Sequence, residues 1–258
     1  MKKRLITYGC SWTEGEGCDI NVEKTLTLDK LKNFRNENSW PKFLSDKLNI
    51  SDVINNGISG NSNRKIFNQV IIDIESGKIK KEDFVCIMFS SSLRDYVPFL
   101  PDGEWISWSV KHLIDLPDKF YNSYKGNSNK FNIFLQKYKK FFITNLFSQD
   151  YYNYVNQNYI IFLQKLLSEY KIDYIMMESF ENMIQEPINN DFRIAIDKSK
   201  YYGKLKYTLK DYLIDSKIID VWESKNTSLN KVKVHPNKKG YKLIADELYK
   251  FIEKNNLN

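Results

Sequence analysis

The chain has 258 residues, of which 42% are hydrophobic and 15% aromatic. This composition excludes a wholly disordered chain, and the length suffices for one α/β domain with a substantial core. The formal charge of +7 would suit a nucleic-acid binder, but the lysines are interleaved with Asp and Glu and no nucleic-acid motif is present, which favours a solvated basic surface.

The chain opens on Met1-Lys2-Lys3-Arg4 and continues with only a brief apolar stretch. This stretch is too short for a signal peptide, so residues 3–8 are predicted to form a first strand. No run of ~18 apolar residues follows, which argues against a membrane-spanning helix. The three cysteines have no metal-ligand spacing and are expected to be reduced thiols. A cytoplasmic location is therefore expected, or a virion-associated one if the chain is viral.

Short apolar runs alternate with helical patterns along the chain. Residues 84–89 are continuously apolar, as in a strand buried on both faces, whereas Ile66, Val70 and Ile74 recur at helical spacing. The predicted strands are 3–8, 52–55, 84–89, 172–177 and 217–222, and the predicted helices are 39–48, 62–76, about 130–170 with a break near Ser148, and 238–252. This alternation predicts a three-layer α/β/α sandwich around a mainly parallel, roughly five-stranded sheet of flavodoxin-like type.

The alternation breaks after Tyr96, where a stretch rich in Trp, Tyr and Phe is too long for a simple crossover. No repeat and no Gly/Ser-rich linker divides the chain. Residues 1–258 are therefore predicted to form one domain with a helical, aromatic-rich insertion at about 97–150. Trp105 and Trp108 in this insertion either stack on a sugar ring or, as is more common, pack in a satellite core.

Polar clusters follow the predicted strands, at the sheet edge where α/β proteins bind ligands. The first strand runs into Gly9-Cys10-Ser11-Trp12-Thr13. Ser11 there could project its hydroxyl above the sheet as a nucleophile, with amides of the following turn facing an oxyanion. Serines also follow strands for turn and capping reasons, and on this evidence alone capping is the more common use.

The chain has two histidines, of which His112 lies in the insertion. His235 precedes Pro236 in the loop before the last predicted helix, and the proline fixes that loop. A rigidly held imidazole at this edge is what activation of a serine requires. The alternative interpretation is a surface or packing histidine.

Two more loops end at the same edge. Loop 55–63 is rich in Asn and Gly, which permits close backbone approach, so the Gly60 amide could face an oxyanion. Its other interpretation is a turn that caps the next helix. The run Ser90-Ser91-Ser92, with Arg94 after it, offers hydroxyls, amides and a cation, or equally caps a helix.

Together, and in this order, these clusters resemble the SGNH (GDSL-like) hydrolase family. Residues 9–13 look like the block that carries the nucleophilic serine. Residues 56–62 look like the block whose glycine, here Gly60, donates to the oxyanion hole, and residues 234–240 look like the block with the catalytic histidine. The resemblance spans the chain apart from the insertion, and it implies an α/β serine esterase.

Two positions depart from the family's pattern. The third block usually supplies an asparagine to the oxyanion hole, and here Ser91 or Ser92 would take its place. The aspartate that usually lies three residues before the histidine is replaced by Val232, which leaves a dyad or a triad completed from elsewhere. A backbone carbonyl is the preferred orienter of His235, with Asp220 and Glu223 as alternatives.

The resemblance implies acyl transfer from an ester to water. Ser11 would attack the carbonyl and His235 would accept its proton, while Ser11, Gly60 and Ser91 hold the oxyanion. The expected substrate is a small acyl or O-acetyl ester, and a carbohydrate ester if the tryptophans line the site. The residues expected to contact it are Asn61, Arg94, Trp105 and Trp108. The alternative is a weakly active or inactive module of this fold with a glycan-binding or structural role.

The implied reaction needs no cofactor and no metal. The expected partner is a small-molecule or glycan ester, and neither a nucleic acid nor a membrane is expected to bind.

Overall fold

A parallel sheet forms the centre of the fold. The computed structural model describes residues 4–19, 26–94, 137, 139–179, 195–205, 207–216 and 235–257. Within them the strands are β1 (Arg4–Gly9), β2 (Asp52–Gly57), β3 (Phe84–Phe89) and β4 (Asp173–Glu178). Their order is β2-β1-β3-β4, and each neighbouring pair is parallel. Four predicted strands are thus confirmed, one at the same residues and three with ends that differ by one or two residues, while 217–222 lies outside the described residues.

Helices lie in the connections between the strands and also follow the last strand. They are α1 (Ser11–Glu14), α2 (Leu28–Asn38), α3 (Trp40–Leu48), α4 (Asn63–Glu75), α5 (Gln149–Glu169), α6 (Leu209–Asp215) and α7 (Lys238–Lys254). The helices predicted at 39–48, 62–76 and 238–252 are confirmed. Helix α5 begins after Ser148, whose hydroxyl accepts a hydrogen bond from Tyr151 N, so the predicted break near Ser148 is a helix cap.

Both faces of the sheet are covered. On one face the side chains of Ile6, Val85 and Ile87 belong to a core that also contains the buried residues of α4 and α5. On the other face Leu5 and Cys86 belong to a core shared with α3, α6 and α7. All six residues of β3 are buried, as the continuous apolar run predicts. The predicted three-layer α/β/α architecture is therefore confirmed.

Because the strands are parallel, all of them end at the same edge of the sheet. Gly9 at the end of β1 lies opposite Gly57 at the end of β2, and β3 ends beside β4. The loops that follow these strands therefore meet at one rim, which is where α/β folds bind ligands. In the described part of the chain no helix combines the length and the apolar character needed to cross a membrane.

Candidate active site

Ser11 is the first residue of α1, a single helical turn that follows β1 directly. Cys10 keeps the extended backbone of the strand as the N-cap, and Gly15 ends the helix in the left-handed conformation. Ser11 is 2% exposed. The change from strand to helix within one residue places the serine at the carboxyl edge of the sheet, as predicted from its position in the sequence.

His235 meets Ser11 although the two residues lie near opposite ends of the chain. Its Nε2 atom is 3.0 Å from Ser11 Oγ. The loop that carries His235 is held by Asn237, whose Oδ1 accepts hydrogen bonds from Lys239 N and Gly240 N and so caps α7. This distance lies within the hydrogen-bond reach that a nucleophile and its general base require.

Gly17 packs directly against the histidine loop. Its φ is +102°, and a Cβ at this position would lie 2.7 Å from His235 Cβ and 2.6 Å from the Pro236 carbonyl oxygen. Only glycine meets both the backbone and the steric requirement. Tyr241 of α7 fixes the same segment, because its hydroxyl donates to the Glu16 carbonyl oxygen at 2.6 Å. The segment after α1 therefore packs closely against the loop that carries His235.

Glu16 brings a carboxylate beside the serine and histidine. Its Oε2 atom lies 3.5 Å from His235 Nε2 and accepts a hydrogen bond from Ser59 Oγ at 2.6 Å. The Glu16 carboxylate therefore lies close to the imidazole nitrogen that faces Ser11 Oγ. The Glu16 side chain is 26% exposed, so water weakens this interaction.

The loop that contains Gly60 is attached to the end of β1 and to α1. Ile58 N donates to the Gly9 carbonyl oxygen at 3.1 Å, and Ser59 N donates to Glu14 Oε2. Gly60 follows with a φ of +76°, and no atom lies within 4 Å of the position that a Cβ would take. The glycine backbone is therefore open to a ligand at the same rim as Ser11.

Asn61 continues this loop and is buried. Its Nδ2 atom donates to the Gly9 carbonyl oxygen at 3.4 Å, so the side chain links the loop to the end of β1. Ser62 then caps α4 by accepting from Lys65 N. The capping interpretation of this loop therefore applies to Ser62, which leaves Gly60 exposed at the rim.

Arg35 of α2 joins two acidic residues of the segment that begins at Ser11. Its Nη1 atom pairs with Glu14 Oε1 and its Nε atom with Asp19 Oδ2, each at 2.6 Å. Burial lowers the pKa of Arg35, but its hydrogen bonds and ion pairs with Asp19 and Glu14 outweigh this and raise the pKa. A persistent cation therefore fixes α2 to the segment that follows Ser11.

Cys18 in the same segment carries a free thiol, another group that can act as a nucleophile. Burial, and then the negative charge of Asp19, raises the pKa of Cys18 to about 12. The thiol is therefore neutral near pH 7, and a neutral thiol is a weak nucleophile. Cys18 is therefore a poor candidate for a nucleophile.

The third loop, residues 90–94, is held mainly by the buried side-chain amides of Asn63 and Asn156. Ser90 N donates to Asn63 Oδ1 at 2.7 Å, and Asn63 Nδ2 donates to Asn156 Oδ1 of α5 at 2.7 Å. Ser91 is buried, and its Oγ atom accepts a hydrogen bond from Leu93 N at 3.2 Å. Arg94 N donates to the Ser91 carbonyl oxygen at 3.0 Å. The loop is thus a hydrogen-bonded turn between α4 and α5.

The structure brings Ser11 and His235 together and places Gly60 and Asn61 on the adjoining loop. Other predicted site residues lie outside the described ranges, namely Trp105, Trp108, Asp220 and Glu223, and so does Val232. In the described ranges, no cluster of three His, Cys, Asp or Glu side chains is placed to hold a metal ion.

Sequence reasoning missed the acidic residues around the serine and their partner on α2. Glu14 and Glu16 alternate with glycines directly after residues 9–13, and this pattern could have indicated the two carboxylates. The sequence gave no comparable indication of Arg35. Its helix, α2, buries Asn38 alone among its residues, so it has no apolar stripe that would show which side faces the rest of the protein.

Comparison with known proteins found a family that matches nearly the whole chain. The sequence model described as GDSL-like Lipase/Acylhydrolase matches residues 5–248. No curated protein matched the sequence. Similar solved structures include the acetylxylan esterase Axe2 from Geobacillus stearothermophilus, at 14% identity and a TM-score of 0.43, covering 97% of this chain and 94% of that one. They also include the psychrotrophic esterase EstA from Pseudoalteromonas sp., at 16% identity and a TM-score of 0.42, covering all of both chains.

Proposed function

Because the chain belongs to the GDSL-like lipase/acylhydrolase family of ester-bond hydrolases, we propose that Ser11 is its nucleophile and His235 its general base. The observation that carries this proposal is the distance of 3.0 Å between Ser11 Oγ and His235 Nε2. The proposed substrate is a small acyl or O-acetyl ester. An aromatic-rich insertion with Trp105 and Trp108 supports a carbohydrate as the alcohol portion.

The reaction proceeds in two acyl transfers. Ser11 Oγ attacks the ester carbonyl carbon while its proton passes to His235 Nε2, and a tetrahedral intermediate forms. The imidazolium then protonates the leaving alcohol oxygen as the carbon–oxygen bond breaks, which leaves an acyl group on Ser11. In the second step His235 takes a proton from water, the resulting hydroxide attacks the acyl carbon, and the proton returns to Ser11 Oγ as the acid leaves.

The developing oxyanion is held by the amides of Ser11 and Gly60, with the Ser91 hydroxyl as a further donor. The anchoring of loop 58–62 to Gly9 and Glu14 supports the part given to Gly60, since oxyanion donors must be fixed before the reaction. Ser91 is buried in the loop that follows β3, and its Oγ accepts a hydrogen bond from Leu93 N at 3.2 Å.

The imidazole must also be oriented from its Nδ1 side. We assign this part to a backbone carbonyl, with Asp220 and Glu223 as the alternatives, because Val232 occupies the position where the family usually has an aspartate. Val232 also supports the competing function, a weakly active or inactive module of the same fold that binds a glycan or serves a structural role. Loss of the acid from a triad lowers the rate by ~10⁴ in one well-studied enzyme.

Hydrolysis of 4-nitrophenyl acetate tests the proposal. The wild-type chain should release nitrophenol faster than the uncatalysed reaction, and Ser11→Ala and His235→Ala should each lower kcat by about 10³-fold or more, because nucleophile and base act as a unit. Circular dichroism and thermal unfolding should show that both variants remain folded. Equal rates in the wild type and both variants would favour the non-catalytic module.

A further inference from the structure

The Gly60 amide belongs to the central peptide of a four-residue turn. Asn61 N donates to the Ile58 carbonyl oxygen at 3.1 Å and so closes the turn. Gly60 has a φ of +76°, as the third residue of a type II turn requires. In such a turn, the N–H of the third residue points in the direction set by the peptide that joins the second and third residues. The direction of the Gly60 N–H therefore depends on how Ser59 is held.

Two carboxylates hold Ser59. Its backbone N–H donates to Glu14 Oε2, and its hydroxyl donates to Glu16 Oε2 at 2.6 Å. Both acidic residues belong to the segment that begins at Ser11. Because Ser59 is exposed, packing restrains it little, and these two hydrogen bonds set its position.

Glu14 is itself fixed by a pair of ionic contacts. Its Oε1 atom pairs with Arg35 Nη1 at 2.6 Å, and Arg35 Nε pairs with Asp19 Oδ2 at 2.6 Å. The Asp19 side chain is 3% exposed, and its Oδ1 atom accepts from Gly17 N at 3.1 Å. The planar guanidinium suits such directed contacts with two carboxylates. The two oxygens of Glu14 thus have separate partners, the guanidinium of α2 and the backbone amide of the turn.

The start of the same loop packs directly against α1. A Cβ on Gly57 would lie 2.3 Å from Glu14 N and 2.6 Å from the Thr13 carbonyl carbon. Asn55 of β2 strengthens this contact, because its Nδ2 atom donates to the Thr13 carbonyl oxygen at 2.8 Å and its Oδ1 atom accepts from Gly57 N at 2.9 Å. The hydrogen bond from Ser59 N to Glu14 extends this attachment to the residue before the turn glycine.

From these contacts we infer that Glu14 is a positioning residue that aims the Gly60 N–H at the developing oxyanion. It acts through Ser59, and Arg35 keeps its carboxylate in place. The inference rests on the proposed function, because it takes the Gly60 amide as an oxyanion donor. The oxyanion forms only as the reaction proceeds, so loss of Glu14 should lower kcat and leave KM nearly unchanged.

Replacement of Glu14 tests the inference in the hydrolysis of 4-nitrophenyl acetate. A missing oxyanion donor lowers kcat by ~10²–10³-fold, and a donor that is present but poorly aimed should cost less, so Glu14→Ala should lose about 30-fold in kcat. Its KM should stay within about twofold of wild type. Glu14→Gln keeps an oxygen that can accept from Ser59 N, and its loss should be at least about threefold smaller.

Asp246→Ala is the matched control. It removes a carboxylate that pairs with Lys47 Nζ at 2.5 Å and so joins α7 to α3. Lys47 lies near the end of α3, close to the edge at which β2 begins and opposite the rim that carries Ser11. This variant should keep wild-type kcat. A raised KM with unchanged kcat in Glu14→Ala, equal losses in both Glu14 variants, or an equal loss in the control would each overturn the inference.

Amide hydrogen exchange separates this inference from the proposed reaction. Measured by mass spectrometry without substrate, exchange in residues 58–61 should be about fivefold faster or more in Glu14→Ala than in wild type or Asp246→Ala, because the Ser59 N–H loses its acceptor. Unchanged exchange overturns the inference even if kcat falls. Absence of ester hydrolysis by the wild type rejects the proposed function. Exchange alone then decides whether Glu14 holds the turn, since faster exchange supports this and unchanged exchange contradicts it.

Discussion

Strands β1 and β3 are neighbours in the sheet, and each is followed closely by serine at the same edge, yet the two serines have different surroundings. Ser11 Oγ meets His235 Nε2 at 3.0 Å. Ser90 Oγ is buried and has no hydrogen-bond partner among the described residues, while its backbone is bonded to Asn63. A position at the end of a buried strand therefore does not by itself bring an imidazole to a serine hydroxyl; at Ser11 the imidazole comes from near the other end of the chain.

The two loops also differ in what fixes them. The loop after β1 is fixed by groups that touch or surround the histidine, namely Gly17, Glu16 and Tyr241. The loop after β3 is fixed by the buried amides of Asn63 and Asn156, which hold it between two helices. We therefore expect substitutions in the first loop to change activity most, and those in the second loop to change it less.

Gly17→Ala should have the largest effect of the substitutions outside the serine and histidine. Its Cβ would overlap His235 Cβ and the Pro236 carbonyl oxygen, so the histidine must move. A displacement of about 1 Å at a reacting group can lower a rate by ~10²-fold, which is the expected loss in kcat. Gly77→Ala is the matched control, since Gly77 also has positive φ but has open space around it. Similar activity in both alanine variants would show that Gly17 does not position His235.

Glu16→Gln should lower kcat/KM about tenfold, equivalent to ~1.4 kcal/mol of transition-state stabilisation. The substitution removes the negative charge 3.5 Å from His235 Nε2 while it keeps an oxygen that can accept from Ser59. Because the carboxylate is partly exposed, the difference from wild type should shrink in high salt. Glu75→Gln, an exposed carboxylate on α4, provides the comparison. Wild-type kcat/KM in Glu16→Gln at low salt would remove Glu16 from the account.

Ser91→Ala should have the smallest effect of the three substitutions expected to lower activity, a loss of about fivefold in kcat. A lost oxyanion donor can cost ~10²–10³, but the hydroxyl of Ser91 also serves the turn by accepting from Leu93 N. Ser90→Ala removes a buried hydroxyl that lacks a partner in the described residues, and it should leave kcat and stability nearly unchanged. A loss of 10² or more in Ser91→Ala would place the third loop at the centre of the site, contrary to the comparison above.

The strands and the main helices were predictable because local pattern and burial agree. The continuous apolar run 84–89 became β3 at the same residues, and the spacing of Ile66, Val70 and Ile74 marked the buried side of α4. The family resemblance is confirmed by a match over residues 5–248. Periodicity alone would not have paired Ser11 with His235, since their contact depends on how the sheet orders its strands.

The acidic and basic residues around the site were not predictable in the same way. Arg35 lies on a helix without a buried apolar stripe, and its partners Glu14 and Asp19 are recognised only when the loops meet. Ion pairs between segments leave no periodic signal in the sequence. The roles of Trp105, Trp108, Asp220 and Glu223 stay predictions, because these residues lie outside the described part of the chain.

Covalent labelling by a fluorophosphonate tests the central claim most directly. Such a reagent captures a serine whose hydroxyl is activated by a base, and peptide mass spectrometry identifies the modified residue. We expect one adduct per chain, on Ser11, with a labelling rate that falls by about 10²-fold or more in His235→Ala. An adduct on a different residue, or unchanged labelling of Ser11 without His235, would contradict the account.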